Sequence, residues 1–243
     1  MLLLVDAGNT RVKWAVAEPG AAPGEWIAQG AVLHADLDSL SAAWAPHAQA
    51  LTRAIVSNVA GDAMRDRLAA LAPSAPTWFK SRPELAGMRN RYRDPVRLGA
   101  DRFAAALGAR TLAPGKSLVV ATCGTATTVD AVSRDGDFLG GMILPGLGLM
   151  LGSLARNTAQ LPQVEAGLKL PPTFADNTND AILSGCIAAQ VGAIERACAL
   201  LPSDLCVVSG GAASQLAPAL GVSHVMLDNI VLVGLHAAAP FLD

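Results

Sequence analysis

The chain has no GxxxxGKS/T phosphate loop, no GxGxxG turn opening a helix and no GxSxG nucleophile elbow, and none of its four His stands beside a plausible nucleophile. Proteolysis, esterase chemistry and dinucleotide redox chemistry all lose support. The four cysteines, Cys123, Cys186, Cys198 and Cys206, form no CxxC pair and have no His at metal-ligand spacing. That argues against a disulfide scaffold and against a zinc site. Charge is scarce as well, at 16% of residues, and 18 Lys+Arg against 20 Asp+Glu leave a net −2. No global positive field exists to attract nucleic acid. The N-terminus lacks a basic region and meets Asp6 after five residues, which does not fit a signal peptide. Two uncharged stretches, Phe138–Ala155 and Leu205–Leu227, are broken by Gly and Pro and read as strand–turn–helix units, not membrane spans. These absences together describe a cytoplasmic protein with reduced thiols and without nucleic-acid or membrane partners.

What is present is apolar. Of 243 residues, 52% are hydrophobic, enough for one large domain or two smaller ones with real cores. The run Leu2–Val5 predicts a strand that enters the turn-prone cluster Asp6–Thr10 and returns as an alternating strand at Val12, Trp14 and Val16. Strands are expected at Glu25–Val32, Ala54–Ser57 and Thr77–Phe79, and helices at Leu37–His47 and Asp62–Leu71. An Arg-rich loop from Arg82 to Arg97 leads into a helix over Asp101–Thr111. A second strand–turn–strand follows over Leu118–Asp130. A slide of 116 residues lays Leu2–Gly8 on Leu118–Gly124 and Ala15-Val16 on Ala131-Val132. If that match is real, the chain is a duplicated α/β half, with its ligand in the cleft between halves. Beyond it come a strand at Phe138–Leu144, a short helix to Arg156, a Pro-rich loop and a long helix over Asn179–Leu201. The end reads as strand Asp204–Ser209, helix Ala212–Leu220, strand Ser223–Leu227 and helix Ile230–Ala239. Alternation of this kind favours a sheet with helices on both faces.

Four constellations carry chemistry. In Asp6-Ala7-Gly8-Asn9-Thr10, Gly8 permits a tight turn whose amides and side chains face an anion, with Lys13 just beyond and Asp6 placed to hold Mg²⁺ through water. An ordinary Asn/Gly hairpin explains the same residues. Gly124-Thr-Ala-Thr-Thr128 with Asp130 offers hydroxyls and amides to phosphate, or is a Thr-rich strand. Ser209-Gly210-Gly211-Ala212 is a strand end where glycines let a nucleotide approach, or a plain strand–helix connection. Around the only Tyr, five Arg (89, 91, 93, 97 and 102) fall within fourteen residues. They suit an anionic substrate, or form ion pairs on a solvated loop. Asp101 stands at a helix start, where dipole and amides keep it ionised and able to accept a proton; a plain N-cap is the other reading.

In this order the motifs resemble type III pantothenate kinase, of the actin, sugar-kinase and heat-shock-chaperone superfamily. The marks are Asp6-x-Gly-Asn-Thr with Lys13, Tyr92-x-x-Pro-x-x-Leu-Gly-Ala-Asp-Arg102, Gly124-Thr-Ala-Thr-Thr-Val-Asp130, Gly140-Gly-Met-Ile-x-Pro-Gly146, Asn177-Thr178 and Ser184-Gly185. The resemblance implies an α/β fold of two ribonuclease-H-like (actin-like ATPase) halves, 1–114 and 115–243, with the active site in the cleft between them. It implies ATP- and Mg²⁺-dependent phosphorylation of pantothenate at its primary hydroxyl, the first committed step to coenzyme A, by a homodimer. On that reading Asp6-Ala7-Gly8-Asn9-Thr10-Arg11-Val12-Lys13 and Thr125 bind ATP, and Asp6 also serves Mg²⁺. Tyr92, Gly99, Ala100, Asp101, Arg102 and Thr178 line the pantothenate site, with Asp101 as general base. Many members carry an Asp, a ligand of K⁺ or NH₄⁺, where this chain has Thr122, so a monovalent-cation site is in doubt. A non-catalytic regulator of the same family and a superfamily phosphatase are the alternatives; the complete set Asp6, Lys13, Asp101 and Thr125 argues against an inactive member. The long helix also carries small residues at Ala181, Gly185, Ala189, Ala193 and Ala197, a stripe that suits a dimer interface.

Overall fold

Two continuous apolar runs organise the chain, and each becomes the central strand of a mixed sheet. The computed structural model describes residues 1–167 and 169–242; Asp243, the last residue of the expected second half, lies outside them. The chain divides into two compact units. Unit 1 comprises Met1–Pro114, Gly136–Phe138 and Asn229–Asp243, and unit 2 comprises Gly115–Asp135 and Leu139–Asp228. The sequence suggests one cut, after residue 114; in the structure the C-terminal helix returns to unit 1.

In unit 1, β1 (Leu2–Ala7), β2 (Arg11–Ala17) and β3 (Ala28–Leu33) form an antiparallel meander, followed by α1 (Ser39–Trp44), β4 (Arg53–Asn58), α2 (Asp62–Leu71) and β5 (Pro76–Trp78). The sheet order is β3-β2-β1-β4-β5, with β4 and β5 parallel to β1. β1 is buried along almost its whole length because helices cover both faces, as its unbroken Leu-Leu-Leu-Val run requires. The Arg-rich segment holds a small hairpin, β6 (Glu84–Leu85) and β7 (Met88–Asn90), before α3 (Ala100–Leu112). The two strands are too short to leave an alternation signal in a charged stretch.

Unit 2 repeats the plan. β8 (Leu118–Cys123), β9 (Ala126–Val132) and β10 (Asp137–Pro145) are followed by α4 (Leu147–Asn157), α5 (Thr178–Leu200), β11 (Leu205–Ser209), α6 (Ala213–Leu216) and β12 (His224–Met226). The order here is β12-β11-β8-β9-β10, the same topology as in unit 1. Its register corrects the sequence match by one residue. Leu2 pairs with Ala17 but Leu118 pairs with Val132, so Val132 corresponds to Ala17 and not to Val16. The β8–β9 turn is one residue shorter than the β1–β2 turn, and a one-residue slip is what the 116-residue slide conceals. The expected helix Ala212–Leu220 is one α turn that relaxes to 3₁₀ geometry at Ala217–Ala219, where Pro218 removes a donor.

α5 is long and apolar enough to cross a membrane, but half of that apolar window is buried. Ile182, Leu183, Cys186, Ile187, Val191, Ile194 and Cys198 pack it into the unit 2 core. The last helix, α7 (Ile230–Ala238), is buried on nearly every side and packs mainly on α3 and β1. Arg53 fastens the C-terminal residues beyond that helix, donating to the carbonyls of Ala239 at 3.0 Å and Leu242 at 2.7 Å.

Candidate functional site

Asp6 faces Lys13 directly across the β1–β2 ladder and lies level with Ser57 on β4. Leu3, Val5, Ala7, Val12, Trp14, Val16, Ala54 and Val56 all enter one core cluster with α1 and α2. Side chains alternate along a strand, so Asp6, Lys13 and Ser57 share the opposite face, the one that α3 and α7 cover. Burial pushes the Asp6 carboxyl from 3.8 up to about 7; the nearby charge of Asp101 adds to the rise and Lys13 opposes it. Asp6, Lys13 and Asp101 therefore form one electrostatic group at the end of β1.

Burial also holds Asp101 above the ordinary carboxylate range, against the amide and charge of Arg102 and its own amide. Desolvation here outweighs the amides and dipole of the helix start, the local effect that the sequence leads one to expect. Asp101 is not a cap. Gly99 occupies the N-cap position of α3, and Asp101 Oδ1 accepts from the Arg102 amide at 2.8 Å. Ala100 is the first residue of that helix.

The turn between β1 and β2 is built differently from the simple anion cradle. The Gly8 amide closes the turn by donating to the Arg11 carbonyl at 3.1 Å. His34 Nε2 lies 2.9 Å from the Gly8 carbonyl and braces it from the start of the next loop. Ala7 and Val12 send their side chains into the core, which leaves only their backbone for a ligand. Asn9, Thr10 and Arg11 are exposed at the tip.

Before α3, buried Asn90 shapes the loop. It accepts from the Tyr92 amide at 3.0 Å and donates to Ser81 Oγ at 2.9 Å and to the Pro95 carbonyl at 3.1 Å. Arg102 is only 6% exposed; it donates to the Tyr92 hydroxyl at 3.1 Å and lies 5.6 Å from the Tyr92 ring centre and 5.9 Å from that of Phe138. Its guanidinium is thus fixed in orientation. Arg89 and Arg91 are bound to Asp137 at 2.6 and 3.1 Å, so these two bases of the Arg-rich segment are already paired.

In unit 2 the positions matching Asp6, Lys13 and Ser57 are Thr122, Thr128 and Ser209, by the same ladder positions. Val119, Ala121, Cys123, Val129, Cys206 and Val208 point into the unit 2 core, so these three hydroxyl residues share the other face. The oxygens of Thr122 and Thr128 are buried without a hydrogen-bond partner among the described residues. Thr125 sits on the exposed β8–β9 turn, where its carbonyl accepts from the Gly146 amide at 2.9 Å. Gly210 has φ +99°, and a Cβ there would overlap the Cys123 backbone. A glycine at this position allows the close packing of β11 on β8. Thr178 opens α5 beside Asn177, whose side chain accepts from the Asp180 amide at 3.0 Å, and lines an open concavity of about 550 Å³ with Asp176 and Ala181.

No group of three or more His, Cys, Asp or Glu that could hold a metal exists among the described residues. A lone carboxylate beside an exposed turn and an unsatisfied hydroxyl still fits Mg²⁺, which keeps several waters and takes its remaining ligands from phosphate. Sequence reasoning missed Ser57, His34 and Asn90. Ser57 ends an apolar strand just as Asp6 does, which was a usable signal; the other two act through tertiary contacts.

A family model for type III pantothenate kinase matches residues 2–200. A type III pantothenate kinase of Janthinobacterium sp. (strain Marseille) is 54% identical over 98% of this chain and 97% of its own length. Among solved structures, a Campylobacter jejuni protein described as a Baf family transcriptional activator is similar with a TM-score of 0.66 at 18% identity, covering 99% of this chain and 100% of that one. The activator of 2-hydroxyisocaproyl-CoA dehydratase from Clostridium difficile, solved with bound ADPNP, follows at 0.56 and 12%, covering 99% and 93%. These likenesses, with the repeated sheet order, show the expected fold class: α/β, with two ribonuclease-H-like halves of the actin-like ATPase type.

Proposed function

Since this chain belongs to the type III pantothenate kinase family, we propose that Asp6, Lys13 and Asp101 carry the transfer of a phosphoryl group from ATP to the primary hydroxyl of pantothenate. The observation that carries this assignment is the electrostatic group at the end of β1, with Asp6 and Lys13 on one face of the sheet and the Asp101 charge acting on Asp6. Asp6, with the phosphates themselves, holds the divalent cation. That cation, when bound, neutralises charge on the phosphate oxygens. Lys13 adds a second positive charge on the same face, and the tip residues Asn9 and Thr10, with Arg11, meet the nucleotide.

Asp101 accepts the hydroxyl proton of pantothenate as the oxygen attacks the γ-phosphorus. Its raised pKa suits the task, because a carboxylate that binds a proton more tightly is the stronger base. Arg102, fixed by Tyr92 and Phe138, takes the substrate carboxylate in a charge-assisted hydrogen bond. Gly99 and Ala100 complete the pantothenate site at the start of α3. The setting is the cytoplasm. A coupled assay of ADP release with and without pantothenate tests the whole reading: release that requires pantothenate supports it, and phosphate release without pantothenate points to a phosphatase.

A monovalent-cation site centred on Thr122 has oxygen donors but no charge. At 4 Å a unit charge is worth about 4 kcal/mol at an effective dielectric of about 20. The unmodified enzyme is therefore expected to show shallow K⁺ activation in matched KCl and NaCl series at fixed ionic strength. Thr122→Asp should steepen it. Saturable dependence at low millimolar K⁺ in the parent would contradict this.

The homodimer uses the small-residue face of α5. Ala181, Gly185 and Ala189 are exposed, while Ala193 and Ala197 turn partly toward the core. Ala189→Trp is expected to dissociate the dimer with the fold intact, since the side chain at that position is exposed on the chain's own surface. Light scattering with far-UV circular dichroism checks both halves of the statement.

A further inference from the structure

We propose that Ser57 is a positioning residue of the phosphoryl-transfer site, its Oγ accepting a hydrogen bond from a water in the shell of the divalent cation that Asp6 holds. The inference rests on the assignment of Asp6 to that cation.

Ser57 is the penultimate residue of β4, 0% exposed, and its Oγ has no hydrogen-bond partner among the described residues. A buried hydroxyl without a partner destabilises a fold, and native proteins leave few of them without a reason. This one lies level with Asp6 in the parallel β1–β4 ladder and shares its face. Two other such groups in unit 1 lie elsewhere. Trp44 Nε1 belongs to a side chain packed in the opposite core cluster, and Ser74 Oγ to the connection between α2 and β5. Of the three, only Ser57 puts an unused hydroxyl oxygen beside the carboxylate that the reaction needs.

Mg²⁺ retains several waters when it binds through one carboxylate and phosphates. Those waters donate their protons outward and need acceptors around them, and groups in that outer layer commonly tune metal affinity by about 10- to 100-fold. Ser57 has the position and the free hydroxyl for such a role. The duplication supports the geometry: unit 2 also places a buried serine, Ser209, level with the end of its central strand.

The test measures Mn²⁺ bound in the presence of saturating ADP, by electron paramagnetic resonance, with no turnover. Ser57→Ala should weaken Mn²⁺ by about 10-fold or more, raise the Mg²⁺ concentration needed for half-maximal rate in parallel, and leave the KM for pantothenate unchanged. Ser57→Thr, which keeps the hydroxyl, should stay near the parent. The metal-free melting temperature of Ser57→Ala should be unchanged or higher, because an unsatisfied group has been removed. Ser57→Cys, with similar volume and only a weak acceptor, repeats the measurement if the alanine variant does not fold. Parent-like Mn²⁺ affinity in Ser57→Ala, or in Ser57→Cys where it replaces it, overturns the proposal, as does a lowered melting temperature with every kinetic constant impaired. Asp6→Asn is the control. If it weakens Mn²⁺ and the Ser57 variants do not, the Ser57 role alone fails; if it also binds like the parent, the assignment of Asp6 fails first.

Discussion

Asp101→Asn is expected to lower kcat by about 10²- to 10⁴-fold, the usual contribution of a positioned general base, with the KM for ATP nearly unchanged. Asparagine keeps the shape and can still meet the Arg102 amide, so α3 should start where it does now. What is lost is the proton acceptor. The pH dependence separates this from a structural effect. Burial holds the Asp101 carboxyl above its ordinary range, and only the ionised form works as a base. Activity should therefore rise with pH through that raised value, and the acidic limb should begin at higher pH than an exposed carboxylate would give. The residual activity of Asp101→Asn should lose the share of that limb that Asp101 supplies and keep the share set by Asp6, whose carboxyl also stands raised, to about 7. Full kcat in the variant, or an unchanged pH profile, would show that Asp101 only shapes the helix start.

Gly234→Val should destabilise the protein more than any surface change, by about 3 kcal/mol or more, the upper end of overpacking costs. The reason is a helix crossing with no room for a side chain. A Cβ on Gly234 of α7 would overlap the backbone carbonyl of Ala104 on α3. The approach is reciprocal: a Cβ on Gly108 of α3 would lie 2.5 Å from the Ile230 carbonyl oxygen and 2.9 Å from the Gly234 nitrogen. Neither obstacle is the movable end of a long side chain, so relief requires the helices to separate. For a chain of this size each kcal/mol moves the melting temperature by roughly 2–4 °C, so a fall of about 6–12 °C is expected by calorimetry. Because α3 carries Asp101, kcat should fall in the folded fraction too. A melting temperature within about 2 °C of the parent would mean that α3 and α7 are not in backbone contact.

Local sequence determined a good deal here. Leu2–Val5 and Leu118–Ala121 are uninterrupted apolar runs ended by turn residues, and a run of that kind has few ways to be anything but a central strand. The positions of Asp6, Lys13 and Asp101 at a strand end, on a returning strand and at a helix start followed from the same local signals. Length, charge scarcity and the missing motifs narrowed the chemistry without any structure. Other features needed tertiary contacts. Whether Val132 matches Val16 or Ala17 depends on the length of one turn, which apolar strands with similar composition do not reveal. The last helix could be read as a helix from Ile230–Ala239, but its return to unit 1 depends on Gly108 and Gly234 meeting in space. The place of Ser57 near the end of an apolar strand is legible in the sequence, but its hydroxyl is buried and unmatched beside Asp6 only because β4 lies next to β1. The shift of the Asp101 carboxyl above its ordinary range also has a tertiary cause. Its helix position favours the charged form, whereas burial beneath the packed elements disfavours it more strongly. Sequence encodes the first effect within a few residues; the second arises from desolvation by residues distant along the chain, and only the folded structure brings them there.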